Sequence, residues 1–188
     1  MDGPLPNNQI VPKLINWLSQ DKQVLPIDQE GQCENRDIFL ARLDNLFVKL
    51  PDPLLIAVCG EIGNNSFDHN LGRWRDLSGV YFNPLNTTDK IIILADRGQG
   101  VRATLSRIIP DLPNDVEAVK TAFTKVISGR SPEQRGNGLK FVASAVKKNG
   151  WDLYFHSGKG VAQISKGELS FSLSDQDIKG CLAVIKYN

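Results

Sequence analysis

The sequence predicts an α/β chain of the α+β kind, a two-layer sandwich with helices on one face of a mixed, mostly antiparallel sheet. Three observations lead there. Helical apolar spacing dominates residues 36–70, and short β-branched or alternating runs dominate residues 152–187. The late runs also follow one another too closely for parallel crossovers, which need about a dozen residues or more.

Taken in order, residues 1–36 are rich in Pro, Asn, Gln and Asp, with one apolar patch from Ile10 to Leu18. They read as an N-terminal extension, packed on or tethered to a main domain at 37–188, and suited to reach a partner. From Arg36 onward Ile38, Leu40, Leu43, Leu46, Phe47 and Leu50 recur at helical spacing, and Pro51-Asp52-Pro53 closes that helix. A second helix starts near Pro53, because proline suits a first turn, and stops near Asn70-Leu71-Gly72. Residues 80–82 form a strand, and residues 90–95 a buried one, uncharged after Lys90. A short helical piece, a helix over 115–127 and a helix over 139–148 follow. Three short strands are expected at 152–156, 169–173 and 181–187, with room for another at 161–164 after Ser157-Gly158-Lys159-Gly160.

Composition narrows the function classes. With 22 basic against 21 acidic side chains the net charge is +1, which gives no electrostatic reason to expect nucleic acid or an acidic membrane. The three cysteines, Cys33, Cys59 and Cys181, form no C-x-x-C pair, so neither a disulfide framework nor a zinc site is expected. No apolar run approaches membrane-spanning length, and the first residues lack a basic segment followed by an apolar one. A cytoplasmic protein with reduced thiols is the expectation.

Three stretches carry chemistry. In the first, Glu61, Asn65 and Asp68 sit at positions i, i+4 and i+7 of the second helix, within about 60° of one another at 100° per residue. The adjoining stripe is Leu55, Val58, Cys59 and Ile62. A carboxylate can polarise water or a hydroxyl, and an amide oxygen one turn later can ligate a hard cation. The competing reading is a solvated helix face with an asparagine near its end. In the second, the buried strand delivers Asp96 into a turn containing Gly98, Gly100 and Val101. Its carboxylate can accept from an exocyclic amine such as adenine's, and glycines there permit positive φ and close ligand approach. A plain strand-ending turn is the alternative. A dinucleotide-binding fingerprint is rejected, because Pro110 and Pro113 interrupt the expected return to a parallel strand. In the third, Arg130, Arg135, Gly136, Asn137, Gly138 and Leu139 open the helix over 139–148. Helix N-terminal amides favour an anion, glycines clear the approach, and the arginines can add charged hydrogen bonds. A flexible loop before an ordinary helix start is the alternative. No P-loop occurs.

In this order, E-x-x-x-N, D-x-G-x-G and G-x-G-L resemble the N, G1 and G2 boxes of the GHKL ATP-binding superfamily, over roughly residues 37–187. Glu61…Asn65…His69 is similar to the E-x-x-x-N-x-x-x-H of small anti-sigma-type serine kinases, while Asp68 resembles the N-S-x-D of chaperones and gyrases. The resemblance implies a Bergerat-type ATP-binding fold with ATP and Mg²⁺ as ligands. It implies Asn65 as the Mg²⁺ ligand, Asp96 as reader of the adenine amine, and Glu61 as general base. It further implies that Gly98, Gly100, Gly136 and Gly138 let the backbone wrap the nucleotide, with a mobile lid at about 101–135. Relatives often carry a threonine near the adenine where Gly180-Cys181 stands here.

Two functions follow as expectations. One is a regulatory ATPase or protein serine kinase, favoured by Glu61. The other is a non-catalytic, nucleotide-gated module that sequesters a protein partner, as anti-sigma factors do. A protein partner is expected in both, and a second copy of the chain is an open alternative.

Overall fold

The computed structural model describes residues 10–21, 30–85, 89–125 and 138–188. Six helices and one five-stranded sheet make up the described chain, in the order α1 (Ile10–Ser19), β1 (Gln32–Cys33), α2 (Arg36–Lys49), α3 (Pro53–Asn70), β2 (Val80–Leu85), β3 (Ile91–Asp96), α4 (Gly100–Leu105), α5 (Asp115–Thr124), α6 (Gly138–Lys148), β4 (Asp152–Ser165) and β5 (Glu168–Lys186). The strand order is β1-β2-β3-β5-β4, and each of these pairings is antiparallel.

The helix starts have local causes. Asn35 caps α2 by accepting from the Ile38 amide at 3.0 Å, and Asn114 caps α5 by accepting from the Glu117 amide at 2.9 Å. Asp52 takes the Leu54 and Leu55 amides, each at 3.0 Å, and Pro53 occupies the first turn of α3. Phe39, Leu43 and Leu46 of α2 meet Leu55, Val58, Cys59 and Ile62 of α3 in the main core. That core lies between α2, α3, α5, α6 and one face of the sheet, so the sandwich is observed.

The opposite face is covered too. Ile10, Val11, Leu14, Trp17 and Leu18 of α1 pack on Ile91, Ile93, Ala95, Ile178, Leu182 and Val184. Within residues 1–36, β1 also pairs with β2. The described part of the expected extension is thus built into the body, because its apolar stripe finds an otherwise bare sheet face.

Two expectations about strands are corrected. Residues 152–165 form one strand rather than two, since the Ser157–Gly160 stretch is a bulge and not a connection. The glycines there make room for α5: a Cβ on Gly160 would stand 2.3 Å from the Asp115 carbonyl oxygen, and one on Gly158 2.5 Å from its carboxylate. Residues 168–186 likewise form one strand, in which the polar stretch 174–177 bulges out of register with β4. The hairpin turn is Lys166-Gly167, with φ of 51° and 79°, positive at both residues as a tight two-residue turn requires.

Among the described residues no helix is long and apolar enough to cross a membrane.

Candidate functional site

Strand periodicity sets up the site. Ile92 and Leu94 of β3 face the main core, and continuing the alternation puts Asp96 on that same face at the strand's end. There it meets the C-terminal half of α3. Ser66 donates to one Asp96 oxygen at 2.7 Å, while Asn70 Nδ2 and the Gly98 amide donate to the other at 3.1 and 2.8 Å. The Cys181 amide donates to the carboxylate as well. Asp96 is 2% exposed, and burial raises its carboxyl above the usual range despite those four donors. A wholly buried carboxylate held at the base of a hollow suits recognition of a polar group brought by a ligand.

That hollow lies between α3, α4, α6 and the sheet, a cavity of about 100 Å³ that opens to solvent. Its walls are mostly apolar, including Ile62, Val101, Leu105, Leu139 and Phe155, with Asn65, Ser66, His69, Asn70, Asp96 and Thr104 as polar residues. A mostly apolar hollow suits a heteroaromatic ring better than a sugar or a free ion.

The structure brings together Asn65, Asp96, Gly100, Val101 and Leu139, all of which line the hollow. Glu61 and Gly138 stand together beside Asn65. A Cβ on Gly138 would lie 2.5 Å from Glu61 Oε2 and 3.3 Å from Asn65 Nδ2. The start of α6 therefore abuts the Glu61–Asn65 pair across a gap that only a glycine leaves. Arg130, Arg135, Gly136 and Asn137 lie outside the described residues.

Asp68 is not brought to the site. It pairs with Arg36 on the outer surface, and its side chain is 40% exposed. The reason is angular. At 100° per residue Asp68 lies about 120° around α3 from Ile62, which lines the hollow, whereas Asn65 lies about 60° away.

The first glycine of the turn also has a different role from the one expected. A Cβ on Gly98 would stand 2.0 Å from Asn70 Nδ2, so the missing side chain accommodates Asn70 rather than a ligand. Gly100 does adopt a positive φ of 81°. The turn amides are already engaged, Gly98 by Asp96, Gln99 by Asn70 at 3.0 Å and Val101 by Ser157 at 3.0 Å. The turn thus shapes the wall and leaves few free donors for phosphate.

The expected lid at 101–135 is corrected for residues 115–124. Ala118, Val119 and Phe123 of α5 are buried, with Phe123 edge-on to Phe155 at 5.3 Å. A helix so packed belongs to the core.

Ser66 and Asn70, which hold the Asp96 carboxylate, are residues that motif reading missed. Their spacing of four on the Ile62 side of α3 was the available signal. Cys181 also lines the hollow. Its thiol donates to Ser157 Oγ at 3.6 Å, and burial pushes it well above the usual thiol range, so it stays protonated and apolar in character.

Among the described residues no group of three or more His, Cys, Asp or Glu side chains is placed to hold a metal ion. A cation here would lean on the Asn65 carboxamide together with water and ligand oxygens, a coordination that suits Mg²⁺.

No family model matches the chain, and no curated protein does either.

Proposed function

We propose that this protein is a cytoplasmic Mg–ATP-binding regulator of the GHKL type that hydrolyses ATP or transfers its γ-phosphate to a protein partner. The observation that carries the reading is the approach of Gly138 to Glu61 and Asn65. It joins the first and third sequence motifs at one end of a hollow whose base is the second motif's Asp96. The adenine ring takes the mostly apolar hollow, and its exocyclic amine donates to Asp96. Ser66 holds the one donor on that carboxylate that can rotate, so its hydroxyl yields the acceptor position to the amine.

The triphosphate then runs toward the start of α6, where first-turn amides favour an anion. Asn65 holds the Mg²⁺, which supplies charge neutralisation between phosphate oxygens. Glu61, beside Asn65 and exposed at the mouth of the hollow, accepts the proton of the attacking water or of a partner's serine hydroxyl.

The alternative is a nucleotide-gated binding module without turnover, in which the nucleotide shifts the population between partner-binding states. Incubation with γ-labelled ATP and magnesium separates the readings. Release of labelled phosphate, or label on an added protein, supports catalysis. Retained ATP with neither product supports the module. Absence of binding by calorimetry rejects both.

A further inference from the structure

Arg97 sits inside the second motif yet has no place in the hollow. The strand alternation that sends Asp96 to the hollow sends Arg97 to the opposite face. There its side chain is 1% exposed and fully engaged. It forks onto Asp76 at 2.7 and 2.8 Å, donates to the Gln20 carbonyl at 2.9 Å and to the Trp17 carbonyl, and stacks over the Trp17 ring at 5.3 Å. Trp17 and Gln20 belong to the last turn and the end of α1, where carbonyls lack helical partners. A cation also suits that end of the helix dipole. One residue therefore closes the far end of α1 while its chain neighbours, Asp96 and Gly98, form the base of the hollow.

We propose that Arg97 is a positioning residue that couples the Asp96–Gln99 turn to the docking of α1, so that α1 acts as a latch. The planar guanidinium meets Asp76 and two helix carbonyls only with its backbone in one place. A shift in the turn thus loosens the end of α1, and undocking of α1 frees the turn. The docked helix also carries a weakness: the Trp17 indole N–H is buried with no hydrogen-bond partner among the described residues. Such a group lowers the stability of docking relative to the rest of the core. Its link to the ligand rests on the ATP-site reading above. By thermodynamic reciprocity, nucleotide then favours the docked α1 by the factor that docking favours nucleotide.

Native-state hydrogen exchange on the full chain tests this, first without nucleotide. The α1 amides and those of Gly98 and Gln99 should open as one unit, below global unfolding and with one denaturant dependence. Leu14→Ala, confined to the back-face cluster, should speed exchange at Gly98 and Gln99 about tenfold, within the usual span of coupling. Arg97→Lys, which keeps the charge but loses the fork, should abolish that transmission. Gly98 and Gln99 staying protected while α1 opens, or α1 opening only with the whole molecule, overturns the latch. Saturating Mg–ATP should next slow exchange of the α1 amides by about tenfold, the ratio of the nucleotide affinities of the docked and undocked forms. If ATP binds and α1 is unaffected, the latch's link to nucleotide is overturned and the ATP reading stands. If nucleotide-free coupling is seen but ATP does not bind, the ATP reading is what fails.

Discussion

The two faces of the sheet solve opposite problems with neighbouring residues. On the helix-covered face, Asp96 ends its strand under an open hollow, surrounded by donors that leave room for exchange. On the α1 face, one residue later, Arg97 is buried against partners that all belong to the fold. The comparison teaches that burial alone does not identify a functional charge. Asp96 and Arg97 are 2% and 1% exposed, yet only the first borders a cavity. What differs is whether the partners belong to the fold or could come from a ligand.

The strongest way to break this comparison is Arg97→Ala. It takes the guanidinium from Asp76, an exposed residue, and leaves the α1 carbonyls without that donor, so unfolding free energy should fall by about 1–3 kcal/mol, the scale of hydrogen bonds to a charged group. Denaturant titration measures it, and a loss under 1 kcal/mol would make the α1 face far softer than described here. On the hollow side, Glu61→Ala should leave stability unchanged and ATP affinity within about tenfold, while turnover drops by about 10² or more. Equal turnover in both proteins would remove Glu61 from the chemistry.

Asp96→Asn should weaken ATP binding by about 2 kcal/mol, the scale of a charged hydrogen bond left incomplete. Undiminished affinity in calorimetry would contradict the adenine role. The smallest effect is also the sharpest contrast, because the two aspartates respond oppositely to pH. Burial raises Asp96, so its charged form costs stability, and stability should decline as pH rises from the usual 3.8 through the raised value. Its hydrogen bonds with Arg97 hold Asp76 below the usual range, so that pair's contribution is present above the usual value and lost as pH falls through the lowered one. Melting curves across acid pH should show Asp76→Asn flattening the acid loss and Asp96→Asn flattening the decline. The same slope in both variants would mean that neither carboxylate is coupled to folding as described.

Much of the main core was legible. The apolar stripe Leu55, Val58, Cys59 and Ile62 is buried as the spacing required, since helix period and core-facing stripe are one property. The long β4–β5 hairpin was not. Its glycines and polar run look like breaks, and only contact with α5 reveals why Gly158 and Gly160 lie within a strand. The site shows the same split. Asn65 and the Asp96 turn could be read from motif order, but Asp68 was assigned to the wrong side. A shared face with Glu61 does not say where the helix's outward edge begins.

By itself, the sequence determined which segments after residue 36 are helical, that Asp96 ends a buried strand, and that glycines stand at the start of the helix over 138–148. Such features follow from local dihedral preference and periodicity, which act within a few residues. Only tertiary structure decided that Gly98 yields to Asn70, that Arg97 reaches back to α1, and that the expected extension covers a sheet face. Those outcomes depend on which distant surfaces meet, and no local pattern encodes a partner some 80 residues away.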